Sequence, residues 1–360
     1  MSGATIAELV AARANDDNTG LLFEDRSWTW AEVAHECAVR AAVLRAHRGT
    51  GPFHVGVLLD NVPEYIFLLG GAALAGAAVV GINPTRRGEE LAHDIRHTDC
   101  GLVVTEAAHL PLLDGLDLGR AGDRIVGVES DTWREWLAGH ADATIPGELP
   151  PPETLFVLIF TSGSTGAPKA VRGSQGRFAS LGQRMPFSAD DVLYCPMPLF
   201  HGNALASNFV PAVTSGAAIA LRRTFSSSEF FADIRRVEAT YFNTVGRALS
   251  YVLATPPSAD DRVHRVKFAL APESSPADAK AFRERFGIPL VGGYGSSEGA
   301  IIITPVRGAL PGALGLPAVG TDVAVVDPES TVECPRAEFD EHGALLNATA
   351  AIGEIVRRDP

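Results

Sequence analysis

Apolar runs of strand length alternate with helical patterns along most of this chain, and few architectures accept that alternation. Residues 55–59 read as a buried strand, a helix starts around Pro63, and 77–82 returns as strand. A further helix spans roughly 89–97, followed by strands at 102–105 and 125–128. Thr29-Trp-Ala-Glu32 is a capping box, after which Trp30, Val33, Cys37, Ala41 and Leu44 repeat at helical spacing. The second half has the same style. Ser226-Ser-Ser-Glu229 forms another capping box ahead of Phe230, Ile234 and Val237, and 241–245 follows as strand. Pro276 to Phe286 reads as a helix stopped by Gly287, leading into strand 288–292. From residue 309 the pattern changes to glycine, proline and short β-runs at 323–327 and 354–357. The expected fold is α/β: two mainly parallel, helix-covered sheets plus a small barrel-like β-region. A proline-rich stretch at 142–152 is the expected connection between a first α/β subdomain (1–150) and a second (151–308), with 309–360 as the β-rich part.

At 360 residues and 46% hydrophobic, the chain can bury a large core. A formal net charge of -13 argues against nucleic acid or an anionic membrane as partner. Cys37, Cys100, Cys195 and Cys334 lie far apart without metal-ligand spacing, which suits a reducing cytoplasm better than a disulfide framework. The first residues lack a basic n-region and a long apolar h-region, so no signal peptide is expected. Residues 66–82 carry no charge, yet they are dominated by alanine and glycine and break at Gly76. A buried helix followed by a strand accounts for them better than a membrane span.

The chemistry concentrates in Phe160-Thr-Ser-Gly-Ser-Thr-Gly-Ala-Pro-Lys169, directly after the apolar run 155–160. Thr161, Ser162, Ser164 and Thr165 supply hydroxyls, Gly163 and Gly166 let backbone N–H groups approach an anion, and Lys169 adds a mobile charge. That is a phosphate cradle; the plainer alternative is a solvated Ser/Gly turn. Arg172 and Arg177 follow, either as a local attractor for anions or as a solvated helix face. The nucleotide P-loop pattern is not met, because Pro168 stands where it has glycine. Gly292-Gly-Tyr-Gly-Ser-Ser-Glu-Gly299 follows an expected strand and offers an aromatic face, a hydroxyl and a carboxylate at a strand's C-terminal end. Taken alone, Glu298 reads as a surface carboxylate and Tyr294 as turn-edge packing. Pro196-Met-Pro-Leu-Phe-His-Gly202 places a lone histidine beside phenylalanine, more often a satisfied core residue.

Together these segments resemble the adenylate-forming (AMP-binding) superfamily, in its acyl-CoA synthetase branch. Its Thr-Ser-Gly-Ser/Thr-Thr-Gly-x-Pro-Lys signature is met at every fixed position, and its Tyr-Gly-x-Thr/Ser-Glu is matched by Tyr294, Gly295, Ser297 and Glu298. The resemblance implies ATP, Mg2+ and coenzyme A as cofactors and co-substrates. It implies nucleotide binding by Thr161, Ser162, Gly163, Ser164, Thr165, Gly166, Lys169, Ser275, Pro276, Gly293, Tyr294, Gly295, Ser296 and Ser297, with metal binding by Glu298. Lys169, His201 and Glu298 are the expected catalytic set. Phe200, His201, Asn243, Gly246 and Gly292 are expected at the acid substrate. Glu273-Ser-Ser-Pro276 aligns with the family's Gly-Gly-x-Pro adenine loop, with Ser274 expected to bear the strain of a missing glycine.

The implied reaction joins a hydrophobic carboxylic acid, fatty or steroidal, to AMP and then to coenzyme A. An acyl-AMP ligase serving a carrier protein and a non-catalytic nucleotide- or acyl-binding module are the alternatives. Homodimer formation is left open. Gly353-Glu-Ile-Val356 resembles the family's Gly-Glu-Ile/Leu element, after which members continue further. By the resemblance, the chain corresponds to the N-terminal large domain alone, and weak nucleotide binding with slow or no turnover is the expectation.

Overall fold

The computed structural model describes residues 4–161, 169–295, 301–304, 306, 313–317 and 320–358. Strands in chain order are β1 (Thr19–Phe23), β2 (Arg26–Thr29), β3 (His54–Leu58), β4 (Ala78–Gly81), β5 (Leu102–Thr105), β6 (Ile125–Gly127), β7 (Leu155–Thr161), β8 (Lys169–Ser174) and β9 (Val192–Cys195). They continue with β10 (Ala218–Leu221), β11 (Tyr241–Asn243), β12 (Phe268–Leu270), β13 (Leu290–Val291), β14 (Tyr294–Gly295), β15 (Ile302–Thr304), β16 (Leu316–Pro317), β17 (Asp322–Val326) and β18 (Glu354–Arg358).

Among the described residues, one sheet runs β6-β5-β3-β4-β7-β8 and the other β13-β12-β11-β9-β10-β1-β2. Each is parallel except for one antiparallel edge strand, β8 and β2, as expected where helices cover both faces. The sheets do not divide the chain at residue 150. β7 and β8 pair onto β4, while β1 pairs with β10, so the two sheets interleave along the sequence. Residues after 290 form antiparallel pieces, β14-β15-β16 and β17-β18, with no closed barrel among the described residues.

The central core lies between the sheets, with Val55, Val79, Val157 and Ile159 from one and Leu193, Ile219 and Tyr241 from the other. Helices Trp30–Ala46 and Pro63–Ala75 fill this layer. In the second of these every residue from Tyr65 to Leu74 is buried, which explains its all-apolar face. Gly71 lies so near the first helix that an added Cβ would meet the Cys37 carbonyl at 3.0 Å. No helix among the described residues is long and apolar enough to cross a membrane. The outer faces carry smaller cores, one around Leu91, Ile95 and Val103, the other around Tyr194, Phe230, Phe242 and Phe282.

The Thr29 capping box forms as expected, with reciprocal bonds to Glu32. The box at Ser226 does not open its helix. Ser226 Oγ accepts the Glu229 N–H at 3.4 Å within a turn, and the helix Phe230–Arg236 begins only after it.

Candidate functional site

In a parallel sheet every strand hands its following loop to the same edge. β9, β11, β12 and β13 are mutually parallel neighbours, and their ladder continues past the strand ends. The Thr244 N–H donates to the Leu270 carbonyl at 2.9 Å and the Ala271 N–H to the Val291 carbonyl at 3.0 Å. Residues 243–246, 271–276 and 292–295 therefore lie side by side, as does the segment 196–202 that leaves β9.

The phosphate-loop expectation falls on a hairpin. β7 pairs antiparallel with β8, and Thr161 faces Lys169 across its last rung. Thr161 and the exposed Lys169 thus hold the two ends of the loop together. Ser162, Gly163, Ser164, Thr165 and Gly166 lie outside the described residues, as do Ser296, Ser297 and Glu298. The basic group does not form one patch. Lys169 and Arg172 stand three apart on a strand, so they point to opposite faces; Arg177 lies on the next helix and bonds back to the Arg172 carbonyl at 3.1 Å.

The Phe200–His201 segment joins the two sheets. An added Cβ on Gly81, at the end of β4, would come within 2.8 Å of the Phe200 carbonyl oxygen, and one on Gly202 within 3.3 Å of Ile159 in β7. Glycine at 81 is thus what lets this loop seat against the six-stranded sheet. The Phe200 and His201 rings lie 4.4 Å apart at 47°. His201 shows open surface, yet dehydration by the surrounding protein holds its pKa below the ordinary value, so the ring is neutral at pH 7.

Asn61, which belongs to none of the sequence motifs, anchors the same segment. It is buried just beyond β3; its Nδ2 donates to the Met197 carbonyl at 2.8 Å and its Oδ1 accepts the Leu199 N–H at 2.9 Å. A polar Asp-Asn pair directly after an apolar strand was the available signal.

At the seven-stranded edge, Ser275 Oγ accepts the Asp278 N–H at 3.0 Å as the cap of helix Pro276–Phe286, with Pro276 in its first turn. Ser274 Oγ donates to the Ala271 carbonyl at 2.9 Å. The strain expected at Ser274 sits one residue earlier: Glu273 has φ 65°, while Ser274 does not have positive φ. Gly246 packs against this loop so closely that an added Cβ would lie 2.5 Å from the Glu273 carbonyl oxygen. Tyr294, 37% exposed, keeps its ring open to a ligand beside Gly293 and Gly295. Gly292 has open space where a Cβ would stand. Asn243, at the end of β11, is fully buried, and neither Oδ1 nor Nδ2 has a hydrogen-bond partner among the described residues.

This edge gathers an open aromatic ring, a neutral imidazole against phenylalanine and a buried amide, and segment 200–202 ties it to the lysine-closed hairpin. Such a set can hold a polyanion and a purine beside an apolar acid. The AMP-binding enzyme family model matches residues 9–355. The chain is 50% identical over 358 residues to steroid-22-oyl-CoA synthetase of Rhodococcus jostii, covering 98% of this chain and 64% of that one. It is 40% identical to medium/long-chain-fatty-acid--CoA ligase FadD17 of Mycobacterium marinum, covering 98% of this chain and 68% of the relative. Among solved structures, the fold is similar to anthranilate CoA ligase AuaEII in complex with anthranoyl-AMP, with TM-score 0.83, 20% identity, and 94% and 69% of the two chains covered. The inhibitor-bound N-terminal domain of FACL13 from Mycobacterium tuberculosis gives TM-score 0.81 at 22% identity, covering 94% of this chain and 87% of that one.

Proposed function

The chain belongs to the AMP-binding enzyme family, and on that premise we propose that it serves to activate a hydrophobic carboxylic acid with ATP and pass the acyl group to coenzyme A. In the first step a carboxylate oxygen attacks the α-phosphorus, the bond to pyrophosphate breaks, and an acyl-adenylate forms. In the second the coenzyme A thiol displaces AMP, giving the thioester. The enzyme's share is positioning and charge neutralisation rather than covalent chemistry.

The observation that carries the reading is the 200–202 segment, which leaves β9 of the seven-stranded sheet and packs on β4 and β7 of the six-stranded one. Lys169, with Thr161, Ser162, Gly163, Ser164, Thr165 and Gly166, would hold the leaving pyrophosphate. Tyr294 would stack on the base between Gly293 and Gly295, with Ser296 and Ser297 at the α-phosphate. Ser275 and Pro276 would offer backbone alone, since the serine hydroxyl already caps its helix. Neutral His201 with Phe200 would orient the acid without carrying a proton. Asn243, Gly246 and Gly292 would border the acyl group. A magnesium ion, when bound, would offset phosphate charge, and Glu298 is the residue proposed to hold it.

The steroid- and fatty-acid-CoA ligase names of the relatives support a fatty or steroidal acid. The four free thiols fit a cytoplasmic setting. Acid-dependent ATP–pyrophosphate exchange tests the reading. Lys169→Ala and Glu298→Ala should each lower it by about 100-fold, and exchange indifferent to both would overturn the assignment.

A further inference from the structure

Behind the acid-binding edge lies a set of polar groups whose unpaired atoms the adenylation chemistry leaves without a role. Tyr241 and Asn243 sit two apart on β11, so they face the same side of the sheet. That side is the central core, because Tyr241 belongs to it while Phe242 turns to the outer one. Over this face runs the segment Leu205–Phe209, which is wound as a π-helix directly before Pro211. Proline cannot donate to the carbonyl four residues back, which explains a widened turn there; such turns recur at binding sites.

Asn208, on this π-helix, donates its Nδ2 to the Tyr194 carbonyl at 3.2 Å, which fixes the amide and leaves Oδ1 without a partner. Ser207 interacts with the Tyr241 phenol but makes no hydrogen bond of normal geometry to it, and donates instead to Asn203 Oδ1 at 3.0 Å. Asn243 has neither amide atom paired among the described residues. Asn208, Tyr241 and Asn243 each show 0% of their surface. Burial pushes the Tyr241 phenol far above its ordinary pKa, so it stays a neutral donor. Buried polar atoms are paired in nearly all native proteins, so two such residues on one sheet face and a third on the π-helix packed over it point to a further partner.

We propose that Asn208, Tyr241 and Asn243 form a recognition site for a hydroxyl group carried on the apolar body of the acid substrate. The unpaired set holds donors (Tyr241 Oη, Asn243 Nδ2) and acceptors (Asn208 Oδ1, Asn243 Oδ1). A hydroxyl both donates and accepts, and so satisfies both kinds; a plain alkyl chain satisfies neither. The groups are sealed from solvent here, and the π-helical turn is the wall that must shift to admit the hydroxyl. The inference rests on the acid-activation reading and narrows its substrate to hydroxylated acids.

The test compares matched acids: 5β-cholanic acid against its 3α-, 7α- and 12α-hydroxy derivatives, and stearic against 12-hydroxystearic acid. Pyrophosphate exchange gives kcat/KM for each, and titration calorimetry gives binding without turnover. At least one hydroxylated acid should exceed its parent tenfold or more by both measures, since a site built to pair a hydroxyl rejects the analogue without it. Tyr241→Phe and Asn243→Leu should each shrink that ratio by tenfold, whereas a purely structural role would weaken both acids of a pair alike. If neither acid of any pair binds, the acid-activation reading falls and this inference with it. If acids bind but no pair shows the preference, or the substitutions leave the ratio unchanged, this inference alone is overturned.

Discussion

Two polar clusters, one partly and one fully buried, lie against the two sheets, and they are satisfied in opposite ways. At the six-stranded sheet, Glu106 follows β5 and Asp60 follows β3. Glu106 Oε1 accepts the Asp60 N–H at 2.7 Å, its Oε2 lies 2.5 Å from Arg223, and Asp60 reaches His109 at 3.2 Å. Asp60, Glu106 and His109 present ligand atoms within 4.8 Å of one another, as a metal site would, but the Arg223 guanidinium already supplies the positive charge. At the seven-stranded sheet, Asn208, Tyr241 and Asn243 have buried atoms left unpaired among the described residues. The first cluster is complete within the chain and reads as scaffold. The second lacks a partner and reads as a place for one.

The sharpest way to break this contrast is to delete one member of each cluster and compare the signs. Glu106→Leu leaves the Asp60 N–H without its acceptor and removes one partner of the solvent-screened Arg223, which keeps Asp60 at 3.6 Å, and should cost about 2 kcal/mol in urea unfolding. A neutral result would remove the claim that the first cluster is structural. Asn61→Leu should cost about 2 kcal/mol by the same measure, because the Met197 carbonyl and Leu199 N–H lose their partner. It should also lower pyrophosphate exchange by loosening the Phe200–His201 segment. Asn243→Leu has the reverse sign. Replacing an unpaired buried amide with an apolar group of similar size should stabilise the chain by about 1 kcal/mol. A loss as large as that at Glu106 would put both clusters in one class.

Two smaller effects sharpen the picture at the loops. Glu273→Gly relieves a left-handed backbone and should raise stability by about 0.5 kcal/mol while tightening ATP binding. His201 has a folded-state pKa below its unfolded value, so the folded state resists its protonation. Stability at His201 is therefore full above about pH 6.5, the ordinary histidine value, and declines as pH falls from there through the depressed folded value. A His201→Asn variant should lose that part of the pH dependence in thermal melts.

Much of the scaffold was legible because period and punctuation agree. The helix Pro276–Phe286 and its Gly287 stop fall where proline and glycine put them, and the strands at 55–59, 102–105 and 125–128 shift by at most a residue at either end. β8 was not legible: Lys169-Ala-Val-Arg172 looks basic, and only its pairing with β7 makes it a strand. Sheet membership was hidden too, since which strands pair is a tertiary outcome that no local pattern encodes. At the candidate site, the motifs singled out Phe200, His201, Tyr294 and Lys169 as the residues to place. Asn61 and Asn208 escaped because single buried amides carry no spacing, and the strain moved from Ser274 to Glu273 because a loop chooses which residue bends.

The near-contact between Gly246 and the Glu273 carbonyl has an evolutionary side. Any side chain at 246 would push directly on the 273–276 loop, so under the proposed roles a change of diet there comes with a change in nucleotide grip. On the same proposal, selection for a new acid should leave residue 246 alone and work on the far wall, along the π-helical segment.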